Sequence, residues 1–169
     1  MEEFFEKMFT LTYWDVMTDL HGGLSMLSLI LFGLVIAWLI SLDKFAKATT
    51  WLKYSMVALF TTVVLLDFMG LFVYRPYRTQ EVPSPRTFLK ASEDTSWLHT
   101  IIFEHKEHLA FAPLIILLAA MLVVLTQGSS LKKSPHLRRL VWFSVIASLV
   151  MVLVVAGEAV LVTKVAPLK

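Results

Sequence analysis

The stretch Leu140–Thr163, LVWFSVIASLVMVLVVAGEAVLVT, contains one ionisable residue, Glu158. As an α-helix it is long enough to cross a hydrocarbon core of about 30 Å. A charged side chain inside such a helix costs several kcal/mol unless it is paired, ligated or hydrated. The stretch therefore predicts a membrane-spanning helix that carries one polar position in need of an explanation.

Three more segments of the same kind precede it. Together they predict spans at residues 20–42, 54–74, 98–125 and 140–163. A composition of 57% hydrophobic and 17% charged residues is too apolar for a soluble domain of 169 residues. We expect an all-α integral membrane protein, in which residues 1–169 form a single up-and-down bundle of four transmembrane helices. The lipid bilayer is its first expected partner.

The distribution of Lys and Arg predicts the orientation. The connection 43–53 holds three Lys, and the connection 126–139 holds two Lys and two Arg without an acid. Short loops rich in Lys and Arg face the cytoplasm. Both termini and the long loop 75–97 then lie outside. We expect a multi-pass protein of a prokaryotic plasma membrane.

The segments outside the spans have their own patterns. Residues 2–17 are acidic and amphipathic, which predicts a segment lying in the membrane interface rather than a cleavable signal peptide. The outer loop 75–97 is long for a connection between helices, so we expect it to cover a site or to dock a partner. The prolines of this loop predict that its first half is extended. Residues 87–94 are expected to form a short surface helix.

Composition also excludes several classes of function. The chain has no Cys, which rules out disulfides, iron–sulfur clusters, thiolate-ligated haem and Cys-type zinc sites. A net charge of +2 implies no nucleic-acid partner. No nucleophile–base pair and no phosphate-binding Gly-rich loop is present. The sequence leaves open whether the chain is an enzyme.

Ionisable residues recur near one end of every predicted span. They are His21, Asp67, Glu104, His105, His108 and Glu158. Counted along the helices, all of them fall in the outer half of the bilayer, with Asp67 deepest. The inner halves hold almost no polar residues, which argues against ion conduction. The common depth predicts a site rather than scattered charges.

The third span contributes three of these residues. Glu104 and His108 are four residues apart and share a helix face, and His105 lies about 60° further round. We expect the three to converge in the bundle interior, beside a kink at Pro113. His21 is followed by Gly22-Gly23, which would let a planar group or another backbone approach.

The chain has one His at the start of the first predicted span and another at the start of the third. In this arrangement it resembles the four-helix membrane cytochromes of the b type, and also an uncharacterised family of four-span membrane proteins. The resemblance rests on helix count, His21 and His108. It implies one haem b between the first and third spans, with His21 and His108 (or His105) as axial ligands. A second haem is not expected, because no paired imidazoles lie at the inner ends.

Two alternatives remain open. Asp67, Glu104 and Glu158, with the imidazoles, suit a single divalent ion such as iron, copper, zinc or manganese. A ferritin-type di-iron site is not expected, because Glu-x-x-His pairs are absent. Otherwise the chain is a non-catalytic accessory subunit of a respiratory or oxidase complex, or a homo-oligomer, whose polar groups contact other subunits or shape a quinone site.

Each residue also has a purely structural interpretation. Asp67 could pair with an Arg of the outer loop, and Glu158 with Lys164 or Lys106. His99 and His136 are expected to be solvated. Our preferred hypothesis is a redox-associated membrane protein that binds haem b or a single metal ion in the outer half of the bundle.

Overall fold

The computed structural model describes residues 13–80 and 84–166, and every regular element in them is helical. The elements in chain order are α1 (Tyr13–Ile40), α2 (Ala48–Arg78), α3 (Pro85–Lys90), α4 (Glu93–Trp97), a π-helical segment (Leu98–Phe103), α5 (Glu104–Leu109), α6 (Ala112–Gln127), a 3₁₀ turn (Gly128–Ser130) and α7 (Pro135–Val165).

Four helical stretches are long and apolar enough to cross a membrane. They are Asp15–Ile40, Ala48–Arg75, Glu93–Ser130 and Pro135–Val165. The predicted all-helical fold and its four candidate spans are confirmed. Each stretch extends beyond its predicted bounds, because polar and aromatic residues continue the helix past the apolar part. We call the end near residues 75–97 the outer end and the opposite end the basic end.

Consecutive long helices run antiparallel. At the outer end the ring of His21 in α1 lies against Gly70 in α2. At the basic end Lys53 Nζ of α2 donates a hydrogen bond to the carbonyl of Leu125 in α6 (2.9 Å). The outer end therefore contains the first residues of α1 and α5 together with the last residues of α2 and α7.

The main core is formed by apolar side chains from α1, α2, α6 and α7. Its fully buried members include Phe32, Val35, Leu52, Met56, Leu59, Leu117, Val124, Val141 and Val145. Ser28 and Ser148 are also fully buried and allow close approach of the helices. In a bilayer such contacts stabilise the bundle by van der Waals packing rather than by exclusion of water.

A second apolar cluster, the outer cluster, closes the outer end. It consists of Tyr77, Leu89, Leu98, Phe103, Val162 and Ala166. Leu89 comes from α3, whose start is fixed by a capping box: the Ser84 hydroxyl accepts from the Thr87 amide and the Ser84 amide donates to the Thr87 hydroxyl. The short helices of the outer loop thus fold back onto the bundle.

Three local predictions can be compared with the structure. Residues 75–78 were expected to be extended, but α2 continues through them, because contacts of Tyr77 and Arg78 with other helices hold the last turn. The predicted interruption near Pro113 is present, since α5 ends at Leu109 and α6 begins at Ala112. Of the predicted interfacial segment 2–17, residues 13–17 are continuous with α1, and the rest lies outside the described residues.

Candidate functional site

The predicted site residues lie at the outer end, distributed over all four long helical stretches. His21 belongs to α1, Asp67 to α2 and Glu158 to α7. Glu104, His105 and His108 all belong to α5, a helix of six residues. Each of the four long stretches thus contributes at least one residue to this polar layer, and the contacts of each side chain decide what the layer can do.

His21 turns towards α2. Its Cε1 atom would lie 3.3 Å from a Cβ built on Gly70, and the ring also interacts with the backbone of Leu66. Gly22 and Gly23, the residues expected to make room beside the imidazole, face open space instead. The absence of a side chain at Gly70 is what lets His21 pack here. His21 Nδ1 is buried and has no hydrogen-bond partner.

Replacement of Gly70 by Ala should therefore disturb this contact. An added methyl at 3.3 Å requires the imidazole to shift by a few tenths of an ångström, so Ala should stabilise the helix less here than the roughly 1 kcal/mol it typically gains over Gly. Gly33→Ala is the matched control, because nothing lies within 4 Å of a Cβ at that position. We expect thermal unfolding in detergent to show a lower Tm for Gly70→Ala than for Gly33→Ala. Equal Tm values would contradict the packing of His21 on α2.

Asp67 and Glu158 each carry an unsatisfied oxygen. Asp67 Oδ2 is buried without a hydrogen-bond partner, and so is Glu158 Oε2. The other carboxylate oxygen of Glu158 lies 2.6 Å from His105 Nδ1, across the α5–α7 contact. Buried polar atoms in hydrocarbon are costly unless they are paired or ligated. These oxygens are thus candidates for a ligand.

Arg78 pairs with both acids of α5 that face α2. Its guanidinium lies 3.3 Å from Glu104 Oε1 and 2.5 Å from Glu107 Oε2, and it also donates to the Tyr74 hydroxyl. The bond to Tyr74 and the charge of Glu107 raise the pKa of Arg78 above its ordinary value. Glu104 is therefore engaged in an ion pair that fastens α2 to α5.

His105 and His108 are both exposed. His108 Nδ1 lies 2.7 Å from the carbonyl oxygen of Glu104, one turn back on its own helix. Glu104, His105 and His108 therefore point to three different partners and do not converge in the interior as expected. Within residues 13–80 and 84–166, no hydrogen bond or ring contact joins the imidazoles of His21 and His108.

Within residues 13–80 and 84–166, no group of three His, Asp or Glu side chains is arranged to hold a metal ion. The pair His105–Glu158 is the closest approach of two predicted ligands, at 2.6 Å. Two protein ligands leave the remaining coordination positions of an ion to water or to another molecule.

His99 is buried, with 2% of its surface exposed, which corrects the expectation of a solvated residue. Its ring meets Phe103 edge-on, with centroids 5.5 Å apart. The outer loop accounts for this burial, because Leu89 of α3 packs in one apolar cluster with Leu98 and Phe103, which flank His99 in the chain. His108, nearly half a turn away on an α-helical wheel, is the exposed one.

Lys106 was expected only as a possible partner of Glu158, and the structure places it within the polar layer itself. It is only partly exposed, its Nζ lies 5.1 Å from the centroid of the Phe103 ring, and it interacts electrostatically with Glu107 and Glu158. It also lies within electrostatic range of His21. The i, i+3 spacing from Phe103 to Lys106 was the available signal, since it places the ammonium group on the same face as a large apolar residue.

Tyr77 fixes the end of α7 to α2. Its hydroxyl donates to the carbonyl of Ala166 at 2.7 Å and lies 3.3 Å from that of Val162. Burial raises the pKa of Tyr77 to about 12. The folded state therefore holds the phenol proton more tightly than the unfolded chain does, so this contribution to stability is complete below pH 10 and is lost as the pH rises towards 12.

We expect Tyr77→Phe to lower the free energy of unfolding by about 1–2 kcal/mol at neutral pH, because the buried carbonyl of Ala166 loses the hydroxyl that donates to it, whereas that of Val162 keeps the Ala166 amide. The difference between wild type and variant should shrink above pH 10. Unfolding by sodium dodecyl sulfate in mixed micelles, followed by circular dichroism, measures both. Tyr54→Phe is the control, since Tyr54 is 65% exposed. A difference that grows with pH would contradict the assignment.

The fold and the site define a class: a helical protein with four candidate membrane spans and a polar layer at one end. Comparison of the chain with models of protein families, with curated proteins and with solved structures gives no match.

Proposed function

We propose that the chain is an integral membrane protein that crosses the bilayer four times, with both termini on the outer side. The helices expose large apolar side chains along their whole length, among them Met26, Ile30, Phe68, Ile115, Phe143 and Val150. Exposed apolar surface of this extent is typical of contact with lipid. The two short basic connections lie together at the opposite end, as the positive-inside rule requires.

Two Cys variants test the topology, because the native chain has no Cys. Ser92 lies in the outer loop and Ser129 in the second basic connection, and both are exposed. An impermeant thiol reagent should label Ser92→Cys in intact cells and should label Ser129→Cys only after lysis. The opposite pattern would overturn the orientation.

We further propose that the polar layer binds a single divalent metal ion in a redox-associated protein. The observation that supports it is the His105–Glu158 pair, whose second carboxylate oxygen is buried and unpartnered. Imidazole and carboxylate suit iron, copper and zinc. The ion would be held by His105 and Glu158. It would neutralise the Glu158 carboxylate, whose charge is otherwise costly within the hydrocarbon region.

A haem fits these residues less well. Bis-imidazole ligation requires two rings that face one slot. His21 is packed directly on Gly70, and His108 is exposed with Nδ1 held by its own helix. An optical spectrum of the purified protein, reduced minus oxidised, tests this choice: a Soret band would favour haem b over the ion.

Equilibrium dialysis of the purified protein against low micromolar Fe²⁺, Cu²⁺ or Zn²⁺ tests the ion site. We expect about one ion per chain, with binding reduced to background by His105→Ala or Glu158→Gln. His136→Ala and Glu93→Gln are matched controls, since both residues are exposed and lie away from the pair. No binding, or equal binding by the site and control variants, would contradict the proposal.

A second candidate is a non-catalytic accessory subunit of a larger membrane complex. The observation in its favour is that Arg78 already neutralises Glu104 and Glu107, which makes part of the layer structural. This function predicts co-purification with a larger complex in mild detergent, together with an absence of bound metal. A monomer that is stable alone and binds metal would exclude it.

A further inference from the structure

The basic end of the bundle carries a strongly cationic surface. Residues 41–53 and 126–139 contain seven Lys and Arg and a single acid, Asp43, for a net charge of +6 with His136 neutral. Asp43 is already paired, since its carboxylate lies 2.5 Å from Arg138. Lys132 Nζ lies 3.4 Å from the carbonyl of Phe45, which joins the two connections. They therefore form one surface rather than two separate loops.

An aromatic cluster lies directly beneath one corner of this surface. Trp38 of α1 stacks on Trp51 of α2 with ring centroids 6.3 Å apart, and Tyr54 meets Trp51 edge-on at 6.2 Å. Trp51 and Tyr54 are 51% and 65% exposed. Trp and Tyr concentrate at the boundary between lipid headgroups and hydrocarbon. The cluster thus marks the level at which a lipid headgroup would meet the protein.

Two exposed cations lie in the connection that joins the helices carrying these rings. The amide of Trp51 donates to the carbonyl of Lys47 at 3.1 Å, which places Lys47 one helical turn beyond Trp51. Lys44 lies in the same connection and is also exposed. Among the ion pairs formed by residues 13–80 and 84–166, none involves Lys44 or Lys47. Their charge is therefore available to a ligand.

We propose that the corner between α1 and α2 binds an anionic phospholipid. Lys44 and Lys47 contact its phosphate-containing headgroup, and an acyl chain lies along Trp51 and Tyr54. Charge complementarity and the adjacent exposed rings favour this ligand, since a zwitterionic lipid offers the same chains but no net charge. A soluble anion would leave the exposed rings without an occupant. The proposal shares only the bilayer placement with the proposed function and is independent of any metal.

Quenching of Trp fluorescence by brominated lipids tests the site. The protein is reconstituted in phosphatidylcholine bilayers that contain increasing fractions of either dibrominated phosphatidylglycerol or dibrominated phosphatidylcholine. We expect the anionic lipid to bind with a relative constant at least about fivefold higher, because each Lys near an anionic headgroup contributes about that factor. The preference should fall in 0.5 M NaCl, at roughly 4 Å Debye length, and the preferential quenching should disappear in Trp51→Phe.

The double variant Lys44→Gln/Lys47→Gln should lower the relative constant by at least about fivefold, and the Lys and Arg of the second connection account for any residual preference. Lys90→Gln/Lys164→Gln is the matched control, because both residues are exposed at the outer end, and it should leave the constant unchanged. Equal quenching by the two brominated lipids in the wild type would overturn the proposal, and so would an equal fall in the control variant. If the double variant fails to fold, the salt dependence and Trp51→Phe decide the question.

Discussion

Replacement of Phe103 by Ala should lower the free energy of unfolding by about 3–5 kcal/mol, the range typical of a large aromatic residue removed from a core. Phe103 is 2% exposed and lies between two tyrosine rings, with centroids 5.4 Å from Tyr74 and 5.1 Å from Tyr77. Lys106 and His99 also pack against it. The truncation removes all four contacts at once and leaves a cavity between α2 and the third span.

Phe111→Ala is the control for this experiment. Phe111 belongs to the same helical stretch but is 49% exposed, so its truncation should cost less than about 1 kcal/mol. Titration with sodium dodecyl sulfate in mixed micelles measures both variants. Similar losses for the two would show that the outer cluster does not stabilise the bundle. A loss confined to Phe103→Ala would show that the outer cluster stabilises the bundle.

The sequence predicts the four helices and the level of the polar residues for a physical reason. Hydrocarbon requires a long apolar helix, and the fixed rise per residue converts sequence position into depth. His21, Asp67 and Glu158 were therefore correctly assigned to one end of the bundle. Neither the apolar length nor the rise per residue depends on how the helices pack, so a single sequence is enough to predict both features.

The partners of these residues could not be predicted in the same way, because they depend on the rotation of each helix about its axis. A π-helical segment of six residues precedes α5, and its wider turn changes the angular position of everything after it. His105 therefore meets Glu158 of α7, whereas His108 lies against a carbonyl of its own helix. The burial of His99 has a different cause: it depends on short helices of the outer loop folding back, and no helical periodicity encodes that contact.

Tertiary contacts also explain why α2 continues past Pro76. Proline lacks an amide proton and usually marks the end of a helix, which favoured an extended segment. The structure compensates with Tyr77, which bonds the end of α7, and with Arg78, which pairs across to α5. Both residues are needed for the last turn of α2, so the outer end should be sensitive to either.

Replacement of Arg78 by Gln should accordingly lower the free energy of unfolding by about 1–3 kcal/mol. The variant loses the bonds to Glu104, Glu107 and Tyr74, and it leaves Glu107, whose Oε1 already lacks a partner, as an unneutralised carboxylate. The loss should fall short of that for a fully buried pair, because the Arg78 side chain is 40% exposed. Arg75→Gln, an exposed position on the same helix end, should have little effect.

A double-mutant cycle separates the ion pair from general loss of packing. The cost of Arg78→Gln is expected to arise from the Glu107 carboxylate, which is left without its counter-charge. In that case adding Glu107→Gln should recover part of the stability, with an interaction energy of about 0.5–3 kcal/mol. The recovery should be reduced in high salt, since the pair is partly accessible to solvent. Strict additivity of the two substitutions would mean that Arg78 stabilises the outer end through its apolar stem and the Tyr74 ring, over which its guanidinium lies at 5.6 Å, rather than through charge.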